Sequence, residues 1–131
     1  RSLDQVEKNN KIREKDGRHQ QELFPIVQWV IYEDLRKESA AYISSLNTSG
    51  VAIWGLSVGE SKDDMYRILD ILKTELPENK PRYLMGVGTP EDLVEGMYRG
   101  IDMFDCVLPT RLGRHGIAFS HTGNIKIKNL F

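Results

Sequence analysis

The sequence predicts an α/β fold in which a four-stranded parallel sheet is followed by a C-terminal β-hairpin. Four apolar runs alternate with stretches of helical spacing, and nearly continuous apolar runs are typical of strands buried on both faces of a parallel sheet. The runs are residues 23–30, 51–56, 82–87 and 103–108. Parallel neighbours also require a crossover connection, which is usually a helix. We therefore expect one domain over residues 1–131, with β-α-β-α-β-α-β order over residues 23–110.

Composition and charge are those of a globular chain. The 131 residues are 40% hydrophobic and 28% charged, and the formal net charge of −1 argues against a polybasic nucleic-acid binder. Cys106 is the single cysteine, which excludes an internal disulfide. No apolar run approaches the roughly 18 residues that span a bilayer, and no signal-peptide core is recognisable. These features predict a cytoplasmic protein that does not act at a membrane.

Two of the helices carry sequence signals at both ends. Ser61 and Asp64 resemble a capping box, and an apolar stripe at spacings of three and four follows until Pro77. Thr89 is suited to cap the next helix, and Gly100 is suited to end that helix in the left-handed conformation. The sequence therefore predicts helices between these two pairs of boundaries.

The two remaining helices have weaker signals. Residues 32–46 carry apolar side chains at helical spacing, with Glu33 and Asp34 in the first turn, where acidic groups favour the helix dipole. We assign a further helix within residues 1–20, but its apolar face is thin. That face consists of Leu3, Val6 and Ile12. A loosely docked opening helix is expected.

The end of the chain predicts a hairpin preceded by a charged loop. Over residues 116–128, two short alternating runs flank the turn-rich residues 121–124, which favours two antiparallel strands. Residues 109–116 are expected to form a loop that carries Arg111 and Arg114. Two arginines in a loop suit phosphate contact, while the alternative interpretation is a charged loop that is only solvated.

Ligands of parallel α/β folds bind beyond the C-terminal ends of the strands. Asp105 lies within the fourth apolar run, and an ionised carboxylate is costly to bury unless donors or a cation accompany it. Asp105 is therefore either functional or a structural aspartate that accepts backbone N–H groups at a strand end. Gly86 and Gly88 follow the third run; they either present N–H groups to an anion or permit close packing.

Metal and thiol chemistry is not indicated. The histidines His19, His115 and His121 have no metal-ligand spacing among themselves or with Cys106. Cys106 lies in an apolar run with no adjacent basic group, so we expect a small buried apolar residue rather than a nucleophile. No metal site is predicted.

Three segments together resemble the tRNA-guanine transglycosylase family, also called queuine tRNA-ribosyltransferase. They are residues 55–60 (GLSVGE), 81–88 (PRYLMGVG) and 100–111 (GIDMFDCVLPTR). The resemblance runs from about residue 23 to residue 131, and the opening helix matches loosely. It implies that the chain is the second half of a TIM (β/α)8 barrel. It also implies exchange of guanine for a 7-deazaguanine base at the wobble position of tRNA.

The resemblance further implies roles for individual residues. Asp105 matches the nucleophile that attacks the ribose C1′ and holds the tRNA as a covalent ester. The base-binding positions are matched by Gln28, Gly55, Leu56, Met85 and the pocket-floor acid Glu60. Arg111 and Arg114 match positions that contact tRNA. No cofactor is implied for this chain, because the zinc site of the family lies outside it.

The chain departs from the family pattern at the base pocket. Trp29, Val30 and Trp54 stand where the family has glycines, and each tryptophan brings on the order of 200 Å² of surface, enough to fill such a pocket. Pro25 also replaces a glycine and fits an edge strand. The first half of the barrel, with a second catalytic aspartate, has no counterpart here.

Three hypotheses about function follow from these matches and departures. The chain is a piece of a transglycosylase that needs the rest of the barrel, an inactive repacked or engineered half-barrel scaffold, or an RNA-binding module without catalysis. We favour inactivity for the isolated chain. A half-barrel also exposes the inner face of its sheet, and this predicts a homodimer in which a second copy covers that face.

Overall fold

The computed structural model describes residues 2–16 and 22–127. The helices are α1 (Ser2–Asp16), α2 (Glu33–Ser44), α3 (Lys62–Glu75), α4 (Pro90–Tyr98) and α5 (Leu108–Arg114). The strands are β1 (Ile26–Val27), β2 (Val51–Ile53), β3 (Arg82–Leu84), β4 (Met103–Phe104), β5 (Ile117–Ser120) and β6 (Gly123–Lys126).

The first four strands form one parallel sheet in the order β1-β2-β3-β4, and β5 pairs with β6 in an antiparallel hairpin. In the sheet, Ala52 lies beside Ile26 on one side and Tyr83 on the other, and Tyr83 lies beside Met103. The predicted α/β class with a parallel sheet and a hairpin is confirmed. Pro25 immediately precedes β1, which is an edge of this sheet, as its missing N–H requires.

The core lies between the sheet and the helices α2 and α3. Val27, Ile53 and Leu84 are fully buried on three neighbouring strands, and they join one cluster with Ile68 and Leu72 of α3. These positions of α3 recur at helical spacing, so the stripe that predicts the helix is also the stripe that packs on the sheet. Complete burial of each such aliphatic side chain stabilises the fold by about 1.5–3 kcal/mol.

Both predicted caps are confirmed. The hydroxyl of Ser61 accepts a hydrogen bond from the N–H of Asp64 at 3.1 Å, and the hydroxyl of Thr89 accepts one from the N–H of Asp92 at 3.3 Å. Each bond satisfies an N–H group that the first turn of a helix leaves without an intrahelical partner. These caps fix where α3 and α4 begin, just beyond the C-terminal ends of β2 and β3.

The fourth apolar run and the arginine segment differ from expectation. Only Met103–Phe104 pairs as a strand, and Leu108 already begins α5, so the predicted loop over residues 109–116 is largely helical. Pro109 lies in the first turn of α5, where proline is tolerated because its missing N–H would be unbonded in any case. The segment over residues 23–110 therefore ends in the first turn of a helix, which the hydrophobic pattern of the fourth run does not indicate.

The opening helix and the hairpin follow their sequence signals closely. Val6 is buried while Ile12 is 48% exposed, so the apolar face of α1 is as thin as the pattern predicts. The hairpin turn falls at residues 121–122, because the second strand already begins at Gly123. The predicted ends of these elements at residues 20 and 128 lie outside the described residues. Within the described part of the chain, no helix has the length and apolarity to cross a membrane.

Candidate active site

Asp105 lies directly after β4, at the C-terminal end of the sheet. Its Oδ1 accepts two hydrogen bonds, one from the hydroxyl of Tyr83 and one from the N–H of Gly86, each at 2.8 Å. The side chain is exposed rather than buried within a strand. Among the described residues no donor contacts Oδ2, so the carboxylate is anchored through one oxygen and accessible through the other.

Strand register explains why Tyr83 meets Asp105. Tyr83 lies beside Met103 in the parallel pair, and Asp105 is two residues beyond Met103, so its side chain is on the same face of the sheet. The hydrogen bond to Asp105, together with burial, raises the pKa of Tyr83 above its ordinary value. Tyr83 therefore stays protonated and donates to the carboxylate across the physiological range. Tyr83 is not among the predicted site residues, although register between the third and fourth runs would place it beside Asp105.

The two glycines after β3 are required for different structural reasons. Gly86 has a φ of 77°, and a Cβ there would lie 2.8 Å from the hydroxyl of Ser57. Its N–H donates to the carboxylate of Asp105 in the same chain. Gly88 permits close packing, because a Cβ there would lie 2.3 Å from the Cβ of Cys106. The close-packing alternative therefore holds at Gly88, while presentation of N–H groups to a bound anion stays a prediction.

A groove of about 250 Å³ opens between the ends of β2 and β3 and the start of α3 and α4. Asp105 does not line this groove, although its neighbour Cys106 and its hydrogen-bond partner Gly86 do. Leu56, Glu60 and Gly86 line it, which brings two of the predicted base-binding residues to one place. Glu60 Oε2 accepts the N–H of Val58 at 2.8 Å, while its buried Oε1 has no partner among the described residues. Because this oxygen is withdrawn from solvent, it is not open to a ligand in this conformation.

The other predicted base-binding residues do not line this groove. Met85 follows β3 and is half-buried, and its N–H extends the ladder to Ile53 at 3.0 Å. Gln28 follows β1 and is exposed, and its N–H donates to the hydroxyl of Ser39 at 3.2 Å. Gly55 is buried with a φ of 78° after β2. These residues share the C-terminal end of the sheet with Asp105 but enclose no common cavity with it.

The guanidinium of Arg36 connects the segments that carry Gln28 and Gly55. It is fully buried and donates to the carbonyl oxygens of Val30 at 2.7 Å and Trp54 at 2.7 Å, among others. Burial lowers the pKa of Arg36 to about 10, against an opposing contribution from the Glu60 carboxylate, so the group is charged at neutral pH. A charged arginine inside an α/β core was not anticipated from its position in a helical pattern.

The expectation that large residues fill a base pocket is wrong for this chain. Trp29, Val30 and Trp54 are 56%, 41% and 39% exposed, so their surface is not withdrawn from water in the way a filled pocket requires. Trp29 and Val30 also have φ values of 88° and 41°, a region that favours glycine. The backbone thus keeps the conformation of a glycine pair while carrying bulky side chains.

Arg111 and Arg114 lie on α5 and are both exposed. A spacing of three residues on a helix places them on neighbouring positions of one face. The backbone oxygen of Arg111 lies 2.8 Å from Nδ1 of His115, which closes the helix. The structure therefore presents two guanidinium groups on a helix where a loop was expected.

The interpretation of Cys106 and of the metal sites changes little. Cys106 is half-buried, and its Sγ accepts the N–H of Leu108 at 3.3 Å. In the described residues no group of three or more His, Cys, Asp or Glu side chains could hold a metal ion. The absence of a cofactor stays a prediction.

Comparison with known proteins adds a family to this geometry. A family described as queuine tRNA-ribosyltransferase matches residues 1–130, which includes the opening helix that the sequence analysis had left outside the resemblance. A queuine tRNA-ribosyltransferase from Saccharophagus degradans is 58% identical over 119 residues. Relatives of the same name from Halothermothrix orenii and Francisella tularensis subsp. tularensis are 55% and 56% identical.

The matched regions differ in proportion between the chain and its relatives. The alignments cover 86–89% of this chain but only 30–32% of those three relatives. Such coverage agrees with a partial barrel, and the match extends through both the sheet and the hairpin. The chain belongs to the queuine tRNA-ribosyltransferase family, that is, the tRNA-guanine transglycosylases.

Proposed function

We propose that this chain carries the nucleophile and part of the base-recognition surface of an enzyme that exchanges guanine in tRNA for a 7-deazaguanine base. The observation that carries the proposal is the exposed Asp105 carboxylate, anchored through Oδ1 by Tyr83 and Gly86. Covalent catalysis by a carboxylate needs a fixed orientation, because a positioned group avoids the entropy of a free encounter.

The chemistry requires two displacements at one carbon atom. The Asp105 carboxylate attacks the ribose C1′ and forms an ester, while the C1′–N9 bond breaks and its electron pair leaves with guanine, which takes up a proton. The incoming base then gives up a proton, attacks C1′ and releases the carboxylate. No electron is gained or lost overall, so the reaction needs no redox partner.

Base recognition in this proposal uses the strand ends near Asp105 and the groove that its hydrogen-bond partner Gly86 lines. Glu60 would be the acid of this groove that accepts an N–H group of a purine-like base, and Leu56 would supply an apolar wall. Gln28 and Gly55 would read the edge of the base, and Met85 would pack on its face. Arg111 and Arg114 would contact tRNA phosphates, because guanidinium groups bind phosphate oxygens through paired donors.

We further propose that the isolated chain does not catalyse the exchange of guanine in tRNA. The matched 112–119 residues cover only 30–32% of the length of the relatives, and the base-binding residues do not enclose one cavity. An open half-site leaves the base and C1′ exposed to water, which weakens every electrostatic contact.

The experiment follows labelled guanine into unmodified tRNA. We expect background incorporation by the chain alone, and incorporation by a chimaera in which the chain replaces the matching third of the Halothermothrix orenii relative. Asp105→Asn in the chimaera should lower the rate by about 10³-fold or more, as loss of a nucleophile does. Asp63→Asn, at an exposed position on α3, is the matched control and should leave the rate unchanged.

Two outcomes would contradict the proposal. A chimaera that keeps its rate with Asp105→Asn excludes the nucleophile, and incorporation by the isolated chain that depends on Asp105 excludes the inactive half-site.

A homodimer is the form we propose for the isolated chain. Trp54 and Met103 are 39% and 45% exposed on the sheet face opposite the helices, and α1 does not supply enough apolar surface to cover them. A second copy would bury this face by self-complementary packing. Light scattering at micromolar concentration should give a mass near twice 15.0 kDa. A monomer with a cooperative melt would exclude this assembly.

A further inference from the structure

Arg36 joins the two segments that follow β1 and β2. Its Nε donates to the carbonyl of Val30 at 2.7 Å and its Nη1 to that of Val27 at 3.1 Å. Its Nη2 donates to the carbonyls of Trp54 at 2.7 Å and Gly55 at 3.2 Å. One planar fork therefore fixes four carbonyl oxygens, two from each segment, and sets the distance between the segments.

The segment after β1 needs such an anchor because its backbone is strained. Trp29 and Val30 hold positive φ values, and a β-branched residue in that region is a genuine outlier. Strained conformations persist only where the surrounding structure enforces them, and they cluster at functional sites. Arg36 donates to the carbonyl of Val30 itself and to that of Val27, two residues before Trp29. The guanidinium thus enforces the turn in which Gln28 sits.

The same group acts on the peptide groups of the second segment. A cation bonded to the carbonyls of Trp54 and Gly55 polarises those peptide groups, which makes the N–H groups of Gly55 and Leu56 stronger donors. Arg36 itself is fully buried beneath the backbone and is not available to a ligand. Its influence on a bound base would therefore pass through the backbone that it holds.

We propose that Arg36 is a positioning residue that sets the spacing and donor strength of the Gln28 and Gly55 segments for recognition of a guanine-like base. This inference rests on the proposed function, since Gln28 and Gly55 would read the base there. The ligand class follows from the groups that Arg36 arranges: backbone N–H donors and a side-chain amide, which complement the carbonyl and ring nitrogens of a purine edge.

Arg82 provides a matched control within the same chain. It is also buried, at 5% exposure, and its guanidinium donates to the carbonyls of Leu76 at 2.6 Å, Lys73 at 3.3 Å and Pro77 at 3.4 Å. It lies at the opposite end of the sheet, where β3 begins. Arg36→Lys and Arg82→Lys therefore each remove a guanidinium that binds several backbone carbonyls. The two groups of carbonyls differ in which end of the sheet they occupy.

The first measurement is amide hydrogen exchange of the 131-residue chain. Arg36→Lys should speed exchange at least tenfold at residues 27–32 and 54–58 while leaving residues 73–77 unchanged, and Arg82→Lys should give the opposite pattern. Ser39→Ala is the milder variant if Arg36→Lys does not fold, because it removes only the acceptor of the Gln28 N–H. It should speed exchange at residues 27–32 alone. Unchanged exchange at residues 27–32 and 54–58 in Arg36→Lys would overturn the inference whatever Ser39→Ala shows, because the hydroxyl of Ser39 bonds Gln28 and not Arg36.

The second measurement is binding of radiolabelled guanine by equilibrium dialysis. Arg36→Lys should weaken binding about tenfold or more, while Arg82→Lys should bind like the unaltered chain. If the unaltered chain binds guanine and Arg36→Lys binds it equally well, only the role of Arg36 is excluded. If the unaltered chain does not bind guanine, base recognition by this half-site fails, and the inference about Arg36 fails with it.

Discussion

The two ends of the parallel sheet are built in the same way but hold different kinds of backbone. Each end has a buried arginine that donates to backbone carbonyls, Arg36 at the C-terminal end and Arg82 at the N-terminal end. Near Arg82 the positive φ falls on Gly100, whereas near Arg36 it also falls on Trp29 and Val30. The N-terminal end therefore stores no such strain, and the C-terminal end does.

This difference follows the division of labour in parallel α/β folds. The C-terminal ends of the strands carry ligands and reaction groups, while the opposite ends contribute stability. Here the C-terminal end also holds the anchored carboxylate of Asp105 and the unpaired oxygen of Glu60. At the N-terminal end, Asp102 accepts the N–H of Arg82 at 2.8 Å and its own N–H bonds the Arg82 carbonyl. The backbone of Arg82 and Asp102 is therefore mutually bonded at one end, whereas Oδ2 of Asp105 and Oε1 of Glu60 have no partner among the described residues at the other.

The largest effect on stability is expected at the N-terminal end. Arg82→Leu leaves the buried carbonyl of Leu76 without a donor and should lower the free energy of unfolding by about 3 kcal/mol. Urea denaturation followed by circular dichroism measures this change. Arg111→Leu, at an exposed position, should change the value by less than about 0.5 kcal/mol. If Arg82→Leu lowers the free energy of unfolding by less than about 1 kcal/mol, Arg82 does not stabilise the N-terminal end of the sheet.

The next prediction concerns the need for glycine at a positive φ at the N-terminal end of the sheet. Gly100 has a φ of 82°, and a Cβ there would lie 3.0 Å from Nη1 of Arg82. Gly100→Ala should therefore lower the free energy of unfolding by about 1–2 kcal/mol. Gly113→Ala, in a helix with open space around the Cβ, should raise it by up to about 1 kcal/mol. Equal effects for both substitutions would contradict the account.

At the C-terminal end of the sheet, a substitution to glycine at a strained position is expected to stabilise the fold. Val30→Gly relieves a φ of 41° and should raise the free energy of unfolding by about 1 kcal/mol, after the greater entropy of glycine in the unfolded chain is subtracted. Val94→Gly, at an exposed position within α4, should instead lower it by about 0.5 kcal/mol. Thermal melts of both variants compare the signs directly. A destabilised Val30→Gly would show that the turn is not strained.

The smallest expected effect is a pH-dependent change in stability at the C-terminal end of the sheet. Burial acts to raise the pKa of Asp92, but hydrogen bonds from Thr89, Tyr66 and Lys62 outweigh it and lower the pKa. A lowered carboxyl pKa stabilises the fold above the unfolded pKa, and this contribution is lost as pH falls through the folded value. Asp92→Asn should therefore lose less stability than the unaltered chain between about pH 5 and pH 3.

A variant that removes one donor refines this pH experiment. Tyr66→Phe deletes the hydroxyl that lies 2.7 Å from Oδ1 of Asp92, so its loss of stability over the same pH range should fall between those of the other two chains. Urea melts at each pH give the values. If all three chains lose stability equally, the hydrogen bonds to Asp92 make no pH-dependent contribution.

Local signals predicted the elements well and the ends of the strands poorly. The caps at Ser61 and Thr89 depend on groups three residues away, so their N–H partners follow from the sequence. The helix from Leu108 was missed because its first residues continue the apolar run of the fourth strand, and Pro109 resembled a loop signal. An apolar run alone does not distinguish a strand from the start of a buried helix.

The predicted pocket-filling role failed because volume alone does not place a side chain. Trp29 and Trp54 have enough surface to fill a base pocket, but their exposure depends on backbone direction at two strand ends. The positive φ of Trp29 is one such determinant, and no property of tryptophan predicts it. The family match, in contrast, was readable from contiguous motifs, and it includes the opening helix as well.

The sequence by itself determined the α/β class, the helix boundaries at α3 and α4, the hairpin and the family, because each depends on periodicity, caps or contiguous motifs. Only the tertiary structure decided what anchors Asp105 and what holds the strand ends. Tyr83 and Asp105 are 22 residues apart, and Arg36 and Gly55 are 19 apart. Contacts at such separations depend on strand register and on burial, which arise when the sheet forms and leave no signal in a local pattern of residues.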